Sequence, residues 1–358
     1  MINVYTRFLI NLFFKSFIQI FLIVTALVLI ISIFEEIEFF KDINVHFLYP
    51  IFLSLLNTPT VVFDSMPFVF LISTQVFFIK LIDNNELQIF KYSGLTNLRI
   101  LKIISLFSFF IGLILIVFFY NFSSKFKNYY LDLKNSFSND DKYLAVITEN
   151  GLWIKDEIDN KINIINASKI DGVFLNDVLI SQFNNEFNYI RTITSEKIDI
   201  TNKEWILFKT TISQNNVSNF KERMSFRSNF DLKRINGLFS NLSSLTLLDL
   251  FKLRKSYRSL NYSTIEVDSH IHKIFSYPFY ITIITIMSAI IMFNIRHQKS
   301  SIYKIIFGIF ISVIIYYINN FFNVLGINEK IPLTVSIWLP LILLTIINFT
   351  FIINLNEK

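Results

Sequence analysis

The chain has 358 residues, of which 53% are hydrophobic, 17% aromatic and 17% charged, with a formal net charge of +6. Charge is scarcer than the roughly 25% of an ordinary soluble domain, and the apolar residues gather at the two ends, leaving a polar middle. Zero cysteines exclude disulfides, thiolate metal sites and cysteine nucleophiles.

A bilayer core about 30 Å thick requires some 20 uncharged helical residues. Ser16 to Phe34 supplies the first such run, bracketed by Lys15 and Glu35. Arg7 and Lys15 before it resemble the start of a signal peptide, but a small-residue cleavage site is missing and further spans follow, so a retained span is expected. The run Ile43 to Ile79 is interrupted only by Asp64 and carries Pro50, Pro59 and Pro67. It predicts an approach segment and then a span from about Phe63 to Lys80, the prolines marking where the helix breaks or begins. Asp64, near the outer end of that span, reads either as an interfacial cap or as a functional intramembrane acid.

The stretch Asp83 to Gly94, "DNNELQIFKYSG", follows. Asp83 is a good N-cap, and Glu86 three residues on gives the return half of a capping box. Leu87, Phe90 and Lys91 fall at i, i+3 and i+4, and Gly94 suits a left-handed helix terminus. The product is a short helix, either lying in lipid or acting as a coupling helix that fits a groove on a cytoplasmic motor.

Ile103 to Ser124 gives the third span. Between about Lys125 and Lys273 the chain turns polar and β-prone. Asn150 and Gly151 in "YLAVITENGLWIK" predict a hairpin, and strand-like runs start at Lys161, Tyr189 and Glu204, which together suggest a sandwich or roll. From Ser243, "SSLTLLDLFKLRKSYRSL" predicts a basic amphipathic helix in which Leu245, Leu248, Phe251 and Leu253 alternate with Lys252, Arg254, Lys255 and Arg258. This reads as a solvated face on the membrane surface or as an anion contact. Ile274 to Ile295, Ile305 to Asn328 and Ile331 to Asn356 complete six spans.

Three basic clusters, at Arg7 and Lys15, at Lys80 to Lys102 and at Arg296 to Lys304, alternate with acidic or near-neutral loops. The positive-inside rule puts those clusters and both termini in the cytoplasm, and the long insert outside. Chemistry is sparse: His270 and His272 near Asp268 read as interfacial polar groups before a metal pair, and no phosphate-binding loop, GxSxG or HExxH motif is present. Transport or scaffolding fits better than catalysis, and no cofactor and no nucleic-acid partner is expected. A membrane-tethered envelope sensor or scaffold is the competing reading.

The stretch Ser54 to Ile100 resembles the LptF/LptG (YjgP/YjgQ) permease family through Pro59, Pro67, Glu86, Leu87, Gly94 and Arg99. The C-terminal Pro332, Trp338 and Pro340 are similar to that family's Pro…Trp-x-Pro signature, and "GLWIKDE" with Trp205 looks more like the LptG branch than LptF. The resemblance implies an α-helical membrane protein with six transmembrane helices and an inserted all-β, jellyroll-like periplasmic domain. It would divide into residues 1–124, 125–242, a connector 243–273, and 274–358. It further implies an inner-membrane exporter subunit for lipopolysaccharide, paired with an LptF-like permease. An LptB-like ATPase dimer would drive it, and an LptC-like bitopic protein and an LptA-like periplasmic bridge would receive the lipid. Asp83, Glu86, Leu87, Phe90, Lys91 and Gly94 would form the ATPase-coupling helix. The family tends to place a basic residue near the outer end of span one, where this chain has Ser32, then Glu35 and Glu36. Either the anion contact then comes from elsewhere, such as Lys41 or Lys252, Arg254, Lys255 and Arg258, or the lipid substrate is less charged; Ser32 and Asp64 also stand on the expected substrate path.

Overall fold

The structure is a computed structural model that describes residues 3–43, 45–135, 137, 152–158, 161–214, 217–232, 235, 241–259, 262–294 and 301–356. It forms two compact units, Met1–Tyr130 with Ile265–Lys358, and Leu131–Thr264. The predicted hairpin at Asn150 and Gly151 and the basic residues Arg296 and Lys299 lie outside the described residues.

Among the described residues, six helices are long and apolar enough to cross a membrane, and they lie in the first unit apart from the end of the third. They are α1 (Val4–Phe39), α2 (Leu48–Asp83), α4 (Asn97–Ile114) continued by a π-helix (Leu115–Tyr120) and α5 (Asn121–Asn135), α7 (Ile265–Asn294), α8 (Ser301–Ile327) and α9 (Leu333–Asn356). A short α3 (Glu86–Tyr92) joins α2 to α4. Of the spans, α2 and α7 are the most enclosed, while α1 and α8 are the most exposed.

The second span corrects the sequence expectation. Residues 48–83 form one helix with Pro59 and Pro67 inside it, so neither proline breaks or begins it. A proline lacks the N–H that would bond the carbonyl four residues back. For Pro67 that carbonyl belongs to Phe63, and the Tyr277 hydroxyl of α7 donates to it, with the Tyr277 and Phe63 rings stacked at 4.6 Å. A neighbouring helix thus restores what the proline removes, as apolar surroundings require. Two further contacts knit the bundle by backbone acceptors: Ser288 donates to Leu71 O at 2.8 Å and Gln75 to Lys304 O at 2.9 Å. Gly112 of α4 faces Pro278 of α7 so closely that a Cβ would sit 2.9 Å from Pro278 Cα, which fixes how near these two helices approach.

The second unit carries a six-stranded antiparallel sheet in sequential order, β1 (Leu152–Ile158), β2 (Lys161–Asp171), β3 (Phe174–Asn184), β4 (Tyr189–Asp199), β5 (Glu204–Gln214) and β6 (Val217–Arg227). Period-2 alternation puts Leu152, Ile154, Ile165, Ala167, Val178 and Ile180 on one buried face. Trp205 is fully buried there and its Nε1 donates to Phe230 O at 2.8 Å. The chain after β6 returns across that face. Ser228 Oγ (2.8 Å), Asn229 N (3.1 Å) and Asn229 Nδ2 (2.8 Å) all donate to the buried Asp156 carboxylate of β1. The two ends of the meander therefore meet, which curls the sheet into a roll-like unit.

Tyr262 closes the same unit, its hydroxyl accepting from Lys155 N at 3.1 Å and donating to Lys155 O at 3.3 Å. Burial pushes its phenol up to about 12, a rise that the bond from Lys155 only partly opposes. Because the folded value lies above the unfolded one, near 10, this contribution to stability is complete below pH 10 and disappears as pH rises toward about 12. Thermal unfolding followed between pH 9 and 12 should show a shallower alkaline loss in Tyr262→Phe than in the wild type.

Candidate functional site

The α2–α3–α4 turn is the first candidate. Here α2 runs through Asp83, so Asp83 is the last residue of one helix and not the N-cap of the next, contrary to the capping-box expectation. The N-cap is Asn85, in the left-handed conformation at φ 58°, with no side-chain cap bond. Asparagine tolerates that region, and it supplies the sharp turn that the uninterrupted α2 requires. Glu86 remains in the first turn as an acidic complement to the helix dipole, half-buried. The C-terminus follows the sequence reading. Gly94 takes φ +80°, Gly94 N donates to Lys91 O at 3.0 Å and Leu95 N to Phe90 O at 2.9 Å, which together make a Schellman motif.

The faces of α3 also differ from expectation. Leu87 is only 6% exposed, and the half-buried Phe90 packs its ring 5.8 Å from Phe8 of α1. Both apolar groups named from the sequence face their own chain. The outward apolar groups are Ile89, 59% exposed, and Tyr92, 88% exposed, with Gln88 and Lys91 beside them. A spacing of three along a single turn reveals a shared face, but not which of two apolar faces is covered.

The second candidate is a polar cluster within the spans. Asp64 of α2 keeps accessible surface and has Lys127 of α5 and Lys273 of α7 as its electrostatic partners. Lys127 Nζ donates to Asn57 Oδ1 at 2.7 Å and lies 4.6 Å from the centre of the Tyr130 ring. The Tyr130 hydroxyl donates to the buried Glu36 of α1 at 2.7 Å. Tyr120, at the end of the π-helix, bonds His270 Nε2 at 3.0 Å. π-turns widen a helix and re-aim the side chains beyond them, and they recur at functional sites. Sequence reading singled out Asp64 but not Lys127 or Lys273, because these cations lie in separate segments and each resembles an ordinary residue at a span end.

The remaining predicted residues are scattered. Ser32 is buried within the first unit, and Lys41 is exposed and pairs with Glu38 at 3.5 Å. Lys252, Arg254, Lys255 and Arg258 belong to α6 (Leu247–Ser259) of the second unit. Among the described residues no group of three or more His, Asp or Glu could hold a metal.

Six apolar helices, a polar cluster among them and an inserted β unit define an integral membrane protein. The family model for the lipopolysaccharide export system permease LptF/LptG matches residues 7–354. The chain belongs to that family, and is accordingly a permease subunit of lipopolysaccharide export. A comparison with curated proteins gave no match.

Proposed function

We propose that this chain is the LptG-like member of a permease pair, driven by a separate ATPase that docks on α3 and passing lipopolysaccharide to a periplasmic bridge. The observation that carries the reading is α3 itself. It is a short helix between two spans, closed at its C-terminus by Gly94, with Leu87 and Phe90 anchoring it to its own chain and Ile89 and Tyr92 left outward. Rigid support behind and an aromatic and a branched residue in front is the arrangement a docking knob needs. The basic residues Lys80, Lys91, Arg99 and Lys102 around α3 support a cytoplasmic position for it, with the termini on the same side and the β unit in the periplasm. In this reading Lys127 and Lys273 supply the cationic contact for phosphorylated sugars that the outer end of α1 lacks, and Asp64 holds them in place. The two aromatic signals Trp153 and Trp205 favour LptG over LptF.

Purification of the tagged chain from its native membrane tests this. An ATPase subunit and a second, LptF-like permease should accompany it in stoichiometric amounts. Recovery of the chain with neither would sink the transport reading and leave the scaffold.

A further inference from the structure

We infer that α6 is an interfacial anchor that binds the anionic phospholipid surface of the membrane the chain spans. The helix start is capped by Thr246, whose Oγ1 accepts from Asp249 N at 3.3 Å and donates to Asp249 Oδ2 at 2.6 Å. Its thirteen residues then divide cleanly. Leu250 and Leu253 are buried. Leu248, Phe251, Lys252, Lys255 and Arg258, at i, i+3, i+4, i+7 and i+10, all lie on the exposed side. The sequence reading grouped Leu245, Leu248, Phe251 and Leu253 as one apolar set, whereas the structure turns Leu253 inward, together with Leu250, and leaves Leu248 and Phe251 outward.

That outer stripe joins two apolar groups at the N-terminal end to three cations at the C-terminal end. Lys252 pairs with Asp249 at 3.0 Å, so about two net positive charges remain along it. Apolar residues dipping to the acyl boundary beside lysines and arginines that reach headgroup phosphates are the pattern of a helix lying in a bilayer interface. Five residues of sequence, Leu260 to Thr264, separate α6 from Ile265, the first residue of α7, whose uncharged run begins nine residues later at Ile274. Extended, the six steps between Ser259 and Ile265 reach at most about 21 Å, and the nine helical residues from Ile265 to Lys273 add about 14 Å, so chain length allows α6 to reach the membrane surface. The occupant is thus a surface of negative charge with an apolar layer beneath, and anionic phospholipid supplies both. The inference depends on the span and its tether, not on any ATPase.

The absence of cysteine lets one label report it. The full-length Leu248→Cys chain, carrying an environment-sensitive fluorophore, is placed in nanodiscs of phosphatidylcholine alone, with one-third phosphatidylglycerol, or with lipopolysaccharide, each with headgroup-level nitroxide quencher. Quenching should at least double with phosphatidylglycerol, return toward the phosphatidylcholine level in ~0.5 M salt, and do the same in a Lys252→Glu, Lys255→Glu, Arg258→Glu background. The salt titration of the label alone keeps the test valid if that triple variant folds poorly. A Glu222→Cys label on exposed β6 should respond to none of these changes. Equal quenching in phosphatidylcholine and phosphatidylglycerol discs, or an increase confined to lipopolysaccharide discs, overturns the inference.

Discussion

Aspartate at Ile89 or at Tyr92 is expected to abolish recovery of the ATPase with the permease while leaving the permease folded. These two side chains are 59% and 88% exposed, so a charge there remains in water in the free chain and little folding energy is lost. On docking, the same charge would be buried without a partner. A central apolar anchor contributes about 2 kcal/mol or more, which is at least a ~30-fold loss of affinity, and an unpaired buried charge adds to it. Leu87→Asp should behave differently. Leu87 is packed inside, so that change lowers the melting temperature of the detergent-solubilised chain, and any loss of ATPase follows from unfolding. Pull-down stoichiometry measured beside thermal melting separates the cases. Wild-type amounts of ATPase on both Ile89→Asp and Tyr92→Asp would remove α3 as the docking surface.

The largest stability effect is expected at Trp205. Truncation to alanine empties the centre of the β core and strands the Phe230 carbonyl that its Nε1 satisfies at 2.8 Å. Large aromatic-to-alanine changes in cores lower stability by about 3–5 kcal/mol, a large part of the roughly 5–15 kcal/mol that holds a domain together. Limited proteolysis of the full-length variant should cut within residues 152–227 under conditions where the spans stay intact. Trp205→Phe keeps most of the apolar volume, loses the hydrogen bond, and should fall between wild type and alanine. Trp153→Ala is the control: that ring is more than half exposed, and its loss should shift protease resistance little.

The sequence displayed those features that depend on local composition. Six apolar runs, five of them uncharged and one interrupted by Asp64, became six helices, because a long apolar run has no other stable way through a bilayer. Gly94 was legible because only a residue without Cβ takes φ +80° without strain. What stayed hidden depends on distant partners. Whether Pro67 ends a helix is decided by Tyr277, 210 positions further on. The Asp64, Lys127 and Lys273 grouping draws on three helices that meet only in the folded chain. Strand β6 escaped notice because it is exposed along nearly its whole length, so its sequence, "VSNFKERMSFR", carries no apolar alternation for most of its residues. Asp83 misled in the opposite direction: it has the chemistry of an N-cap, but α2 had not yet ended.

The restored carbonyl at Phe63 makes α2 something other than a stiff rod. Pro67 is a joint whose closure is held from outside, by a hydroxyl on α7. About 24 Å of helix lies between that joint and Asp83, so a tilt of ~10° there would swing α3 by ~4 Å. Asp64 lies three residues before Pro67, and the helix beyond Pro67 leads to α3 with Ile89 and Tyr92. A displacement of α7 relative to α2 would act first on that one bond, and Tyr277→Phe would remove it.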